Sequence, residues 1–195
     1  MRDQVLTWLD DNVPTARMQH ILRVEQMSME LARHYHLNVE QAAQAGLMHD
    51  LAKYFKPERL LRMAKEAGID IDPICAATPH LLHADVSAIV AKEQFAIQED
   101  AVLNAIALHT LGNPGMSEMS CVVFLADSLE PGRGDTPELE NLRKIAHIDL
   151  HKAVWLTCDY CVKHLLNTRR LIHPRMILTR NWAVQRFSQK PELTQ

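Results

Sequence analysis

The chain has 195 residues, 47% hydrophobic and 23% charged, with 21 Lys plus Arg against 24 Asp plus Glu for a formal net charge of −3. That balance suits one globular domain with a full core, and it argues against a protein that coats nucleic acid or a membrane surface, where a basic excess is expected. No uninterrupted apolar run reaches the ~18 residues of a membrane span, and Met1-Arg2-Asp3-Gln4 begins no secretory apolar region, so a cytoplasmic protein with neither nucleic-acid nor membrane partner is expected.

In chain order, Val5, Leu6, Trp8 and Leu9 predict a short first helix, broken near Asn12 and Pro14. A long helix is expected from about Thr15 to Tyr35, with Ile21, Val24, Met27, Met29 and Leu31 at three- and four-residue spacings and His20 and Arg23 one turn apart. Asn38, with Gln41 three residues on, is a capping signal for a helix through Ala42, Ala43, Ala45, Gly46 and Leu47, a small apolar surface that lets other helices come close; it ends in His49-Asp50. Pro57 opens a further helix that stops at Gly68, and Ile69 to Thr78 reads as a loop or short helical turns. Pro79 to Phe95 is expected as one helix carrying His80 and His83, and Asp100 to His109 as a short apolar helix ending in a histidine. Gly112-Asn113-Pro114-Gly115 must turn, and Ser117 to Leu129 is apolar with Asp127 near its end, stopped by Pro131-Gly132-Arg133-Gly134. Pro137 to Ile145, Asp149 to Thr168 and Pro174 to Phe187 complete the set. With no strand pattern and no repeat, the fold class is all-α: an N-terminal helix over 1–13, one helical domain over 14–187 including the C-terminal helices, and a frayed polar tail over 188–195.

Eleven histidines are a high count for this length. His20, His49, His83, His109 and Asp127 come from separate helices, and Asp50 is the neighbour of His49; each sits within or at the end of an otherwise apolar helix. A buried carboxylate without a partner is expensive and is usually paired or bound to a metal. Imidazole and carboxylate suit iron, manganese, zinc or nickel, and the lack of a cysteine in the set disfavours a structural zinc site. Six such ligands exceed the needs of one open catalytic ion and fit two, with a carboxylate between them. Two ions ~3.5–4 Å apart can hold a bridging hydroxide and clamp both oxygens of a phosphoryl displacement.

Five motifs carry a resemblance over roughly residues 14–187: Arg17-x-x-His20-x-x-Arg23-Val24, His49-Asp50-x-x-Lys53, Leu82-His83-Ala84, His109-Thr110-x-Gly112-x-Pro114-Gly115-Met116, and Phe124-Leu125-Ala126-Asp127-x-x-Glu130-Pro131-x-Arg133. The set resembles the YqeK-type members of the HD-domain metal-dependent phosphohydrolases. That resemblance implies an all-helical HD bundle, a di-iron centre, and symmetrical hydrolysis of diadenosine tetraphosphate to two ADP. It also implies that His20, His49, Asp50 and Asp127 hold the first metal, that Asp50 bridges, and that His83 and His109 complete the second. The expected cofactors are therefore two divalent ions, iron first, with manganese or cobalt as substitutes, and the expected partner is a small nucleotide substrate. A homodimer through the apolar C-terminal helices is left open.

Asp50 and Lys53 are the expected catalytic residues, with the ions delivering hydroxide to a β-phosphorus. Arg17, Arg23, Lys53, Thr110 and Arg133 are the expected substrate contacts: guanidinium matches phosphate oxygens in pairs, Lys53 lies one turn past His49, and Thr110 borders the pocket. His80 competes with His83 as a ligand, and the flanking Leu82 and Ala84 favour His83. Cys158-x-x-Cys161 lies mid-helix without a second pair and reads as packing; four cysteines in no disulfide spacing fit a reducing compartment. Glu130 reads as a cap or an ion-pair partner of Arg133. His34, His36, His147, His151, His164 and His173 read as surface or capping residues. The competing readings are an HD nucleotidase or phosphodiesterase of broader range and a silent nucleotide-binding regulator.

Overall fold

Helix α1 (Arg2–Asn12) leads into α2 (Thr15–His34), which lies along α3 (Val39–Met48) in a computed structural model that describes residues 1–189. Asn38 caps α3 as its sequence dictates: its side-chain oxygen accepts the backbone N–H of Gln41 at 3.1 Å. Gly46 then sets how near α2 comes. A Cβ at this position would lie 2.9 Å from both the Glu25 Cα and the Ser28 Oγ, and 3.1 Å from the Val24 carbonyl. Two of those three atoms are backbone, so the helices themselves would have to separate. Gly46→Ala is expected to cost about 1–2 kcal/mol, because overpacking of about 1–3 kcal/mol outweighs the gain of up to ~1 kcal/mol in helix propensity. Thermal unfolding should show a midpoint lower by about 2–8 °C, and an unchanged midpoint would mean that α2 yields freely.

Two apolar clusters form around this pair. The first gathers Val5 and Leu9 of α1, Ile21 of α2, Ala45 and Met48 of α3, and the inner faces of α4 (Pro57–Glu66), α5 (Pro73–Ala77), α6 (His83–Phe95) and α7 (Asp100–Leu108). The second joins Val24, Met27 and Leu31 of α2 to α8 (Glu118–Leu129), α9 (Pro137–Ala146), α10 (Leu150–Asn167) and α11 (Pro174–Ser188). Helix α8 is buried nearly all round, as its unbroken apolar run requires, and its Met119 and Val123 reach the first cluster. Helices α2 and α8 are thus common to both.

Among the described residues all regular structure is helical and no helix is long and apolar enough to cross a membrane. The single helix expected from Pro79 to Phe95 is divided. Pro79–Leu82 is a 3₁₀ turn, and α6 starts afresh at His83. Thr78, held out of the α region before a proline at φ −134° and ψ 70°, forces a new start, and the tight turn brings the His80 carbonyl to the His83 ring. Ile69 to Thr78 contains α5, capped by Asp72. All four cysteines are free, and burial pushes the Cys161 thiol up to about 11, in keeping with a packing role. Of the polar tail expected over 188–195, Ser188 closes α11, and 190–195 lie outside the described residues.

Candidate metal centre

Three histidines sit where a helix or a turn ends, within reach of its last carbonyls. His49 follows the last residue of α3, His109 follows the last of α7, and His83 follows the 3₁₀ turn. The final carbonyls of a helix lack intrahelical partners. Each ring uses one: Nδ1 of His49 lies 2.7 Å from the Gly46 oxygen, Nδ1 of His83 2.6 Å from the His80 oxygen, and Nδ1 of His109 2.7 Å from the Ile106 oxygen. A carbonyl only accepts, so each Nδ1 carries the proton and each Nε2 presents a lone pair.

His20 lies inside α2, where carbonyls are taken by the helix, and it finds a side chain instead. Its Nδ1 is 2.9 Å from Oε1 of Glu130, whose Oε2 accepts from the Arg23 guanidinium and, at 2.6 Å, from the Gly132 backbone N–H. Glu130 is 1% exposed. Burial opposes its ionisation, but the Arg23, His20 and Gly132 hydrogen bonds outweigh that and hold its carboxyl below the usual range. The expectation that Glu130 caps or pairs with Arg133 is corrected in part: the carboxylate orients His20, while Arg133 pairs with Asp127 at 2.5 Å. The missed signal was spacing. Glu130 is three residues past Asp127 and directly follows α8, so both carboxylates reach the His20 ring from the end of that helix.

Four imidazole lone pairs and two carboxylates converge. Around one point stand His20, His49, Asp50 and Asp127. Nε2 of His20 is 3.1 Å from Oδ1 of Asp127 and 3.9 Å from Oδ2 of Asp50; Nε2 of His49 is 3.4 Å from that Oδ2 and 3.7 Å from the Asp127 oxygen. Around a second point, Oδ1 of Asp50 is 3.3 Å from Nε2 of His83 and 3.7 Å from Nε2 of His109, with the two nitrogens 3.1 Å apart. His20-His49-Asp50 and Asp50-His83-His109 therefore form two triads that share Asp50. Acceptors bound about 2.1 Å from one ion lie ~3.0–3.4 Å apart at right to tetrahedral angles, and the shorter separations here, 3.1 to 3.4 Å, fall in that range.

The buried atoms without a hydrogen-bond partner include Nε2 of His20, Nε2 of His49 and Oδ1 of Asp50. Two acceptor nitrogens 3.1 Å apart cannot bond to each other. What this pocket lacks is positive charge, so the residues fit divalent cations. Lys53 answers part of that need, with Nζ 3.0 Å from Nε2 of His83 and 3.7 Å from Oδ1 of Asp50. Protons answer another part. Burial disfavours a charged His49, yet Asp50 and Asp127 outweigh it and raise its pKa; burial and the His49 and His83 charges push His109 well down. Asp50 is held well below the usual carboxylate range, its burial overcome by His49, His83 and Lys53.

The expected substrate contacts border this pocket. Arg17 reaches Oδ2 of Asp50 at 3.0 Å, and the Thr110 hydroxyl lies 3.2 and 3.0 Å from Nε2 of His83 and His109. Arg17, Arg23 and Arg133 line one open cleft with Tyr54, and Lys53, Thr110 and Arg133 line another. His80 stacks on His83 with centroids 5.0 Å apart but stays outside both triads; burial and the Lys53 charge push its pKa down to about 4.

A third group, Asp72, Cys75 and His173, has a different character. Asp72 caps α5 through Ile74 and Cys75 and accepts Nε2 of His173 at 2.6 Å, while the other His173 nitrogen accepts the Arg175 N–H. Its donors and acceptors satisfy each other, so it reads as a tie between α5 and α11, with His173 capping as expected.

Comparison with known proteins gives the family. A family model described as HD domain matches residues 17–132. The chain is 28% identical over 183 residues to a protein of Bacillus subtilis named "Bis(5'-nucleosyl)-tetraphosphatase, symmetrical", covering 94% of this chain and 97% of that one. A protein of the same name from Halalkalibacterium halodurans is 31% identical over 180 residues, covering 92% and 95%. A solved structure from Clostridium acetobutylicum, described as a predicted HD superfamily hydrolase involved in NAD metabolism, superposes with a TM-score of 0.91 at 32% identity, covering 95% of this chain and 98% of that one.

Proposed function

Since the chain belongs to the HD-domain family of metal-dependent phosphohydrolases, we propose that it cleaves diadenosine tetraphosphate symmetrically into two ADP. The observation that carries this reading is the pocket of converging acceptors with its two triads about Asp50. The names of the Bacillus subtilis and Halalkalibacterium halodurans relatives support the choice of substrate.

In this reading His20, His49, Asp50 and Asp127 hold one divalent ion, and Asp50, His83 and His109 hold the other, with iron first and manganese or cobalt as substitutes. Such ions, when bound, lower the pKa of water and neutralise phosphate oxygens. The protein's own groups do the rest. Nδ1 of each histidine keeps its proton on a fixed acceptor, so Nε2 remains free to bind. Lys53 lies at the pocket mouth and takes a phosphate oxygen, and Arg17, Arg23 and Arg133 present guanidinium faces to the rest of the chain of phosphates. Thr110 offers a hydroxyl beside His83 and His109. The leaving group is ADP, largely ionised at neutral pH, so the reaction does not require a strong acid.

Product analysis with the metal-loaded protein tests this. Two ADP per diadenosine tetraphosphate are expected; ATP plus AMP, or no turnover with iron, manganese or cobalt, would overturn it. Lys53→Ala is expected to lower kcat about 10–100-fold, since a hydrogen bond to a charged group is worth about 1.5–3 kcal/mol. Metal counting should find both ions retained. Normal turnover with half the metal lost would assign Lys53 to the wrong task.

A further inference from the structure

The cleft between α8, α9 and α10 has a volume of about 360 Å³ and two unlike ends. Its inner end is Lys53, Thr110, Asp127 and Arg133, the rim of the metal centre. Its outer end is Leu139, Tyr160, Cys161, His164 and Leu165. Leu139 is buried, Tyr160 and Leu165 are partly buried, and His164 is exposed. Tyr160 and His164 are four residues apart on α10, so their rings leave the helix on one side. With its thiol pushed up to about 11, Cys161 stays neutral. The outer end therefore offers two flat rings and an aliphatic floor, and the carboxylate of Asp127 is confined to the inner end.

We infer that this cleft receives one nucleoside of the substrate, the base against Tyr160 and His164 and its phosphates at Lys53 and Arg133; the inference rests on the nucleotide reading above. A flat heteroaromatic with an anionic tail matches the layout end for end. Aromatic side chains hold bases through their π-faces with little regard to sequence. The second cleft, on the other side of Arg133, has a volume of about 210 Å³ and is lined by Arg17, Arg23 and Tyr54, which suits phosphate in transit more than a base. The wall also has its own origin. Tyr160 and His164 lie beyond residues 17–132, so helices added to the HD part supply the grip on the base.

The test is ADP binding to the metal-loaded protein, measured by titration calorimetry, with inorganic pyrophosphate as the base-free control. Tyr160→Ala and His164→Ala are each expected to weaken ADP about tenfold and to raise KM for diadenosine tetraphosphate more than they lower kcat. Pyrophosphate affinity should be unchanged, and Tyr160→Phe should restore ADP binding. His164 is exposed, so its variant does not depend on the fold tolerating a cavity. Unaltered ADP affinity and KM in both variants, with diadenosine tetraphosphate still cleaved, overturn the cleft and leave the function standing. Loss of ADP affinity in a protein that never cleaves diadenosine tetraphosphate retains the cleft and overturns the function.

Discussion

Asp50→Ala is expected to abolish turnover, by at least about a thousandfold. A catalytic metal supplies several kcal/mol of transition-state stabilisation, and about 1.4 kcal/mol is a factor of ten. Asp50 is the residue on which both triads depend, with one oxygen toward His20 and His49 and the other toward His83 and His109. Its loss should empty both positions, whereas His83→Ala should empty one. Metal counting beside kinetics separates the two: two ions in the parent, about one in His83→Ala, none in Asp50→Ala. His49→Ala should be as inactive as Asp50→Ala. The fold should persist, since α3 keeps its Asn38 cap and its packing on α2. Turnover like the parent's in either His49→Ala or Asp50→Ala would mean that the reaction happens elsewhere.

The second large effect is expected from a residue that touches neither ion nor substrate. Glu130→Gln keeps the shape of the side chain but offers one good acceptor where three donors compete: the His20 ring, the Arg23 guanidinium and the Gly132 N–H. Loss of an outer partner of a metal-bound histidine typically costs 10–100-fold in metal affinity, and that drop should appear in a competition titration with a chelator. Acid supplies an independent readout. The folded-state pKa of Glu130 lies below its ordinary value, so the unfolded chain takes up the proton more readily. Its contribution to stability is therefore complete above about pH 4.3, the unfolded value, and fades as pH falls through the lower folded value. Glutamine has no such dependence. The gap in thermal midpoint between parent and Glu130→Gln should be wide at pH 7 and shrink below about pH 4. A gap that widens on acidification would reverse the assignment.

How far the sequence could be read depended on the range of the forces involved. Helix caps and stops act within a few residues, so Asn38, Pro57 and the Pro131-Gly132 stop could be read directly. The six polar residues within or at the ends of apolar helices could be read as well, because each is costly where it stands. The break before His83 was harder: Pro79 opens a 3₁₀ turn as readily as an α-helix, and tertiary packing decides. Glu130 could be read as a cap, which it is for Gly132, but not as the partner of His20 and Arg23, which lie more than a hundred positions away in sequence. The division of the apolar residues into two clusters has no local signature at all.

That division has a mechanical corollary. The helices common to both clusters, α2 and α8, carry His20 and Asp127, while His83 opens α6 and His109 follows α7, two helices whose buried apolar residues lie in the first cluster. Cations seated among these four would act as a rivet through a seam. Along that seam greasy contact gives way to charge, and each half would feel through the rivet any loosening of the other.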